Sequence, residues 1–248
     1  MKERPILFSG PMVRAILDGH KTQTRRVVIP QPWINDVGQW QWEHKKGQHV
    51  AFHPDLDEQH YPGTKLQHVC PYGVPSTRLW VRETFVLESN LGLAGLAEYP
   101  PPFGDTRPVQ WVDMPDEGLV WSQPHYRATD PVPDLAYDDR DDPHCRWRPS
   151  IHMPRWASRI TLEVEAVRVE RLQEIDAYDA KAEGCDMHPG SRDKQQSWEQ
   201  EVLEEYEALW DILNAKRGYG WDTNPWVWVI GFKRVSPATQ WEESEVGR

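Results

Sequence analysis

The sequence predicts an α+β fold, in which one mixed, barrel-like β domain is flanked by helices across all 248 residues and interrupted by long loops. Three observations carry this expectation. Short apolar or alternating runs mark strands at both ends and in the middle of the chain. Two stretches repeat apolar residues at helical spacing. The order strand, helix, strands, helices, strand shows no fixed-period repeat, which excludes a solenoid or propeller.

The first element is a short apolar strand, "RPILFS". "SGPMVRAILDG" then reads as a helix, with Ser9 as N-cap, Pro11 in the first turn and Gly19 just past the end. Met12, Val13, Ile16 and Leu17 form its buried stripe. From Pro30 to Pro75 the pattern is irregular, with Trp33, Trp40 and Trp42 among prolines, glycines and histidines. "RLWVRETFVL" at 78–87 reads as one strand whose faces both carry a charge, so Arg82 or Glu83 needs a partner if buried. Ten of the 22 prolines fall between 100 and 149, beside the acidic residues Asp138, Asp139, Asp141 and Asp142. That region is expected to be an insertion with little regular structure, pinned by Trp111, Trp121, Tyr126 and Trp147. The insertions are placed at about 31–75 and 88–150.

In "RITLEVEAVRVERL", Ile160, Leu162 and Val164 alternate before the parity shifts at Ala166 and Val167, as in a bulged or bent strand. "IDAYDAKAEG" is a short helix with Asp176 as cap and Gly184 as terminator, which puts Glu183 in its last turn. Trp198, Val202, Tyr206, Leu209, Trp210 and Leu213 mark a long amphipathic helix. "PWVWVIGFKRV" closes the pattern as a strand buried on both faces.

The net charge of −11 opposes polyanions, so duplex DNA is excluded as a general partner. The longest apolar run, "WVWVIGF", is too short to span a bilayer, and no secretory leader is read at the start. A cytoplasmic protein without a membrane partner is expected. Cys70, Cys145 and Cys185 are too few for a disulfide framework and are expected to be free, buried thiols. The 14 tryptophans suit either a core or platforms beneath flat ligands.

"ILDGHKTQTRR", "RLWVRETF", "ITLEVEAV", "DAKAEG" and "WVWVIGFKRV", in this order, resemble the ASCH family of PUA-like domains. "WRPSIHMPRWASRI" at 147–160 resembles a segment of the larger, phage-associated ASCH proteins. The motifs cover about half the chain. At one place the chain departs from the pattern: Ser76 and Thr77 stand where the family often has Gly-Asp before the "LWV" strand. The resemblance implies a small curved PUA-like barrel with a cleft of nucleobase size. Some compact members are N4-acetylcytidine amidohydrolases, whose lysine, threonine and glutamate fall on Lys21, Thr24 and Glu183. Other PUA-like modules bind RNA or modified bases without catalysis.

Hydrolysing an amide requires a nucleophile, a proton acceptor and donors for the oxyanion. Thr24 offers the hydroxyl. Lys21 acts as base only if desolvation or neighbouring cations such as Arg25 and Arg26 lower a pKa that is ordinarily about 10.4; otherwise it serves the oxyanion. Glu183 orients Lys21 or protonates the leaving amine. Residues 21 and 24 have opposite strand parity, so the pair requires Lys21 to lie in the turn, with Thr22, Thr24 and Arg26 sharing the pocket face. The alternative is a solvated strand edge on which the basic residues discourage pairing. Arg82, Arg155 and Trp156 complete the substrate-binding candidates; around Trp156, Arg148 and Arg159 also suit base stacking and phosphate contact. There the alternative is a buried Trp156 with its arginines paired to the acidic loop.

No cofactor is expected. His49 with His53, His68 with Cys70, and Cys185 with His188 are sparse metal candidates, and no C-x-x-C pair is present. The H-x-E with P-C-x-x-C deaminase signature and the G-x-x-x-x-G-K-[ST] phosphate loop are also missing from the sequence. The expected partners are a small nucleoside substrate or, in the noncatalytic alternative, single-stranded RNA.

Overall fold

The computed structural model describes residues 3–45, 48–51, 70–89, 107–114, 118–131, 147–185 and 198–235. The elements run β1 (Glu3–Leu7), α1 (Gly10–Leu17), β2 (Gln23–Val27), β3 (Trp33–Ile34), β4 (Trp40–Lys45), β5 (Gln48–Ala51), β6 (Arg78–Arg82), β7 (Phe85–Ser89), β8 (Gln110–Met114), β9 (Gly118–Tyr126), β10 (Thr161–Arg171), α2 (Ala177–Ala182), α3 (Trp198–Asn214) and β11 (Trp226–Val235). The class is α+β. One sheet has the order β1-β6-β10-β11-β2; among the described residues no pairing of β1 with β2 closes it. No helix among the described residues is long and apolar enough to cross a membrane.

Two regions expected to be irregular contain sheets instead. Within 31–75, β3, β4 and β5 form an antiparallel sheet. Within 88–150, β8 and β9 join β7 in the order β7-β9-β8. Pro124 obscured β9 because a proline has no N–H for a ladder. It is tolerated since β8 covers β9 only as far as Ser122, and Pro124 lies beyond that point. The single strand expected at 78–87 is also two strands, broken at Glu83 and Thr84.

The backbone divides into two compact units. The first contains residues 1–4, 15–78 and 163–234. Its core includes Leu172, Ile175, Ala180, Cys185, Val202, Tyr206, Trp210, Val227 and Val229. Helix α3 buries Val202, Tyr206 and Trp210 at helical spacing, while Leu213 at its end is 44% exposed. Strand β11 buries Trp226 to Ile230 without a break, as its continuous apolar run requires. Burial on β10 changes parity between Val164 and Val167. Ser76 takes φ +70°, the left-handed conformation that suits glycine, at the position where the resembled family often has one. Its N–H donates to the Val164 carbonyl at 2.8 Å, which holds the turn.

The second unit contains residues 5–14, 79–162 and 235–248. Phe85, Tyr126, Met153 and Ala157 form a core cluster on which Trp156 packs. The Tyr126 hydroxyl donates to the Ala157 carbonyl at 2.9 Å. Glu83 is 1% exposed, and Arg159 grips it through Nε and Nη2, both at 2.9 Å. This is the pairing that the charged strand required. Arg159 also lies over the Tyr126 ring at 3.9 Å.

Candidate active site

The residues after α1 are placed by a tight reversal. Gly19 adopts φ +80°, and the N–H groups of His20 and Lys21 both donate to the Ala15 carbonyl, at 2.9 and 3.0 Å. Lys21 therefore precedes β2 rather than belonging to it. Thr22 is then stitched on both sides: its N–H donates to Ala182 and its carbonyl accepts from Phe232. The Thr22 residue itself is exposed.

Helix α2 approaches the same point from the other end of the sequence. Asp176 caps it by accepting from the Asp179 N–H at 2.7 Å, and Glu183 is its C-terminal cap residue. Gly184 follows at φ +90°, where an added Cβ would lie 3.1 Å from Ala15 Cβ and 3.3 Å from Lys21 Cβ. The glycine is needed both for its backbone angle and for this close approach. Gly184→Ala is therefore expected to destabilise the fold by about 1–3 kcal/mol, measured by urea denaturation; an unchanged midpoint would show that the turn relaxes freely.

These two turns bring an ammonium against a carboxylate. Lys21 Nζ donates to Glu183 Oε2 at 2.7 Å and to the Glu183 backbone carbonyl at 2.6 Å. Lys21 is 2% exposed and Glu183 4%. Burial lowers the lysine pKa; the Glu183 charge and hydrogen bond oppose that shift, while Arg26 reinforces it, and the net direction is downward.

Arg25 extends the cluster. Its Nη2 donates to Asp179 Oδ2 at 2.6 Å and to Glu170 Oε2 at 3.1 Å, while Nη1 lies 3.6 Å from Glu183 Oε1. Arg168 completes the network, binding Asp179 at 2.6 Å, Glu170 and Gln23. Burial works against the Arg25 charge, but Tyr206, Glu183 and Asp179 outweigh it and its pKa is raised. Burial alone would raise Asp179, yet Arg25 and then Arg168 hold it below the usual carboxylate value. Tyr206, from α3, is driven well above its ordinary value by burial and then by Glu183, so its phenol stays neutral.

Strand alternation separates the remaining candidates. Gln23, Arg25 and Val27 share the face that meets Asp179 and the α3 core. Thr24 and Arg26 take the opposite face, paired with Ile230 and Trp228 of β11. Thr24 is buried at 2% exposure but gives no hydrogen bond to either Glu183 carboxylate oxygen. Lys21 and Glu183 thus converge directly, whereas the Thr24 hydroxyl occupies the reverse side of β2 from Arg25. Asp179 was not singled out in the sequence, although its place four residues before Glu183, on the same helix face, is a signal that could have found it. The partners Glu170 and Arg168 carried no such local signal.

Arg82, Arg155 and Trp156 belong to the second unit. There Arg82 lies over the Trp80 ring at 4.6 Å and Arg155 at 6.0 Å. Trp156 is half-buried on its core cluster, and Arg159 pairs with Glu83.

Cys70 and Cys185 are free and buried, and burial pushes the Cys70 thiol up to about 11. Cys145, His53, His68, His188 and the acidic run at 138–142 lie outside the described residues, as does the His49 side chain. Among the described residues no group of three or more histidine, cysteine or carboxylate side chains is arranged to hold a metal.

Comparison of the chain with protein-family models, curated proteins and solved structures returns no match. The ASCH resemblance rests on the quoted motifs alone.

Proposed function

We propose that the protein is an amidohydrolase of ASCH type, with its five-stranded sheet as the strand set of a PUA-like barrel. It would deacylate N4-acylated cytosine nucleosides to cytidine and a carboxylic acid without a metal. The observation that carries this reading is the buried contact between Lys21 Nζ and Glu183 Oε2 at 2.7 Å, joined to a lysine pKa displaced downward. A lysine whose pKa is lowered gives up its proton more readily than an ordinary lysine and so serves better as a base, and a carboxylate beside it can pass that proton on.

The reaction then balances simply. An oxygen nucleophile adds to the acyl carbon and gives its proton to Lys21. The tetrahedral oxyanion collapses, the C–N bond breaks, and Glu183 relays the proton to the departing N4. If Thr24 is the nucleophile, water cleaves the resulting ester in a second step. If water attacks directly, one addition suffices. The position of Thr24 on the face of β2 opposite Arg25 favours water.

The test is incubation of the purified protein with N4-acetylcytidine, with and without chelator, following release of cytidine. Turnover that survives the chelator is expected; inactivity over a panel of N4-acyl cytosines would remove the proposal. Thr24→Ala is expected to lower kcat by about 10-fold or less, while Thr24→Ser stays near wild type. A fall of about 10³-fold or more in Thr24→Ala, with substrate binding retained, would instead make the hydroxyl the nucleophile.

A further inference from the structure

Arg25 and Glu183 are each held by half. Arg25 Nη2 is fixed by Asp179 and Glu170, but its Nε and Nη1 are buried without a hydrogen-bond partner. Glu183 Oε2 is fixed by Lys21, but its Oε1 is likewise buried and accepts no hydrogen bond. These two atoms, a donor and an acceptor, form an ion pair at 3.6 Å, beyond hydrogen-bond distance, so each keeps hydrogen-bonding capacity for a ligand. Both residues are only 4% exposed. Buried donors and acceptors are usually satisfied by protein, by water or by a ligand.

We propose that Arg25 Nη1 and Glu183 Oε1 form a matched donor and acceptor for a cytosine-type base, Nη1 donating to ring N3 and Oε1 accepting from the exocyclic N4–H. This rests on the cytosine nucleoside reading above. The fit is directional. A 4-aminopyrimidine presents an acceptor next to a donor along one edge, and N4 retains one hydrogen after acylation. Uracil presents the reverse order, setting its N3–H against the guanidinium and O4 against the carboxylate. The same contact brings Glu183 beside N4, the nitrogen that must receive a proton when the amide breaks. Arg25 thereby becomes the residue that selects the base. The Asp179 and Glu170 contacts hold its guanidinium plane in position for this task.

The test measures binding of the product, so it does not depend on turnover. Calorimetry of the full chain compares cytidine, 3-deazacytidine, which lacks the N3 acceptor, and uridine. Cytidine is expected to bind at least about tenfold more tightly than 3-deazacytidine, and uridine no better than the deaza compound. Arg25→Lys keeps the charge but loses the fork, and the preference is expected to fall to within about threefold. If that variant does not fold, the Arg25 guanidinium nitrogen resonances of the wild type are followed instead; they should shift with cytidine and not with 3-deazacytidine. Absent cytidine binding, equal affinity for the three ligands, an undiminished preference in folded Arg25→Lys, or nitrogen resonances that respond alike to cytidine and 3-deazacytidine would each overturn the assignment. Hydrolysis of N4-acetylcytidine without this preference would leave the hydrolase reading and remove Arg25 from it. The preference without hydrolysis would do the reverse.

Discussion

Lys21→Met is expected to slow turnover sharply and to destabilise the fold by about 3–5 kcal/mol, because it removes the ammonium that pairs the buried Glu183 carboxylate. Removing one partner of a buried pair is costly since the other keeps its desolvation penalty. The double variant Lys21→Met with Glu183→Leu removes both charges. Urea denaturation is expected to show it within about 1–2 kcal/mol of wild type, while activity stays as low as in the single variant. That split separates a catalytic loss from an unfolded protein. Activity of the single variant is expected to fall by about 10²–10⁴-fold, the range for a lost general base. A single variant as stable as wild type would show that the pair is solvated in solution.

The lowered Lys21 pKa also fixes the sign of a pH effect. Between the folded value and the ordinary value of about 10.4, the unfolded chain holds a proton that the folded chain has released. Stability contributed by this group therefore rises as pH climbs through that window. The double variant should lose the rise. In the hydrolase reading the same group puts an ascending limb on kcat/KM, at a pH below that of an ordinary lysine.

Arg159→Met is the second large effect, expected to destabilise by about 3 kcal/mol at neutral pH by leaving Glu83 charged and unpaired. Burial already raises the Glu83 pKa against the pull of Arg159. Losing that pull raises it further, so the folded variant takes up a proton more readily than the unfolded chain. The penalty is small below the ordinary carboxylate pKa of about 4.3. It grows as pH rises through the window up to the raised folded value, and is full above it. Denaturation from pH 4 to 8 should therefore show the variant closest to wild type at the acid end; a constant gap would assign the loss to packing rather than charge. Arg159 also stacks over Tyr126, so a part of the loss is expected to persist in acid.

Much of the backbone was legible because its signals are local. The Asp176 cap, the Gly184 terminator, the stripe of Val202, Tyr206 and Trp210 and the unbroken burial of Trp226 to Ile230 all depend on neighbours a few residues away. The sheets β3-β4-β5 and β7-β9-β8 were not legible. Their strands are short, and Pro124 reads as a breaker until the end of the β8 pairing makes it harmless. The break at Glu83 was hidden for a related reason, since the strand pattern continues through it and only Arg159, 76 residues away, explains the buried carboxylate.

At the candidate site, the sequence by itself determined which groups were present: an amine, a hydroxyl and two guanidinium groups after a helix end, and a carboxylate at another helix end. Composition and spacing carry that information, and local turn chemistry orders it. Only the tertiary structure decided how they combine. It set Glu183 against Lys21, put Thr24 on the reverse face from Arg25, and joined Arg25 to Asp179 and Glu170. The reason is physical: which charges meet depends on where two chain reversals more than 160 residues apart are packed together, and the cost of burying each charge is met only by the partner found there.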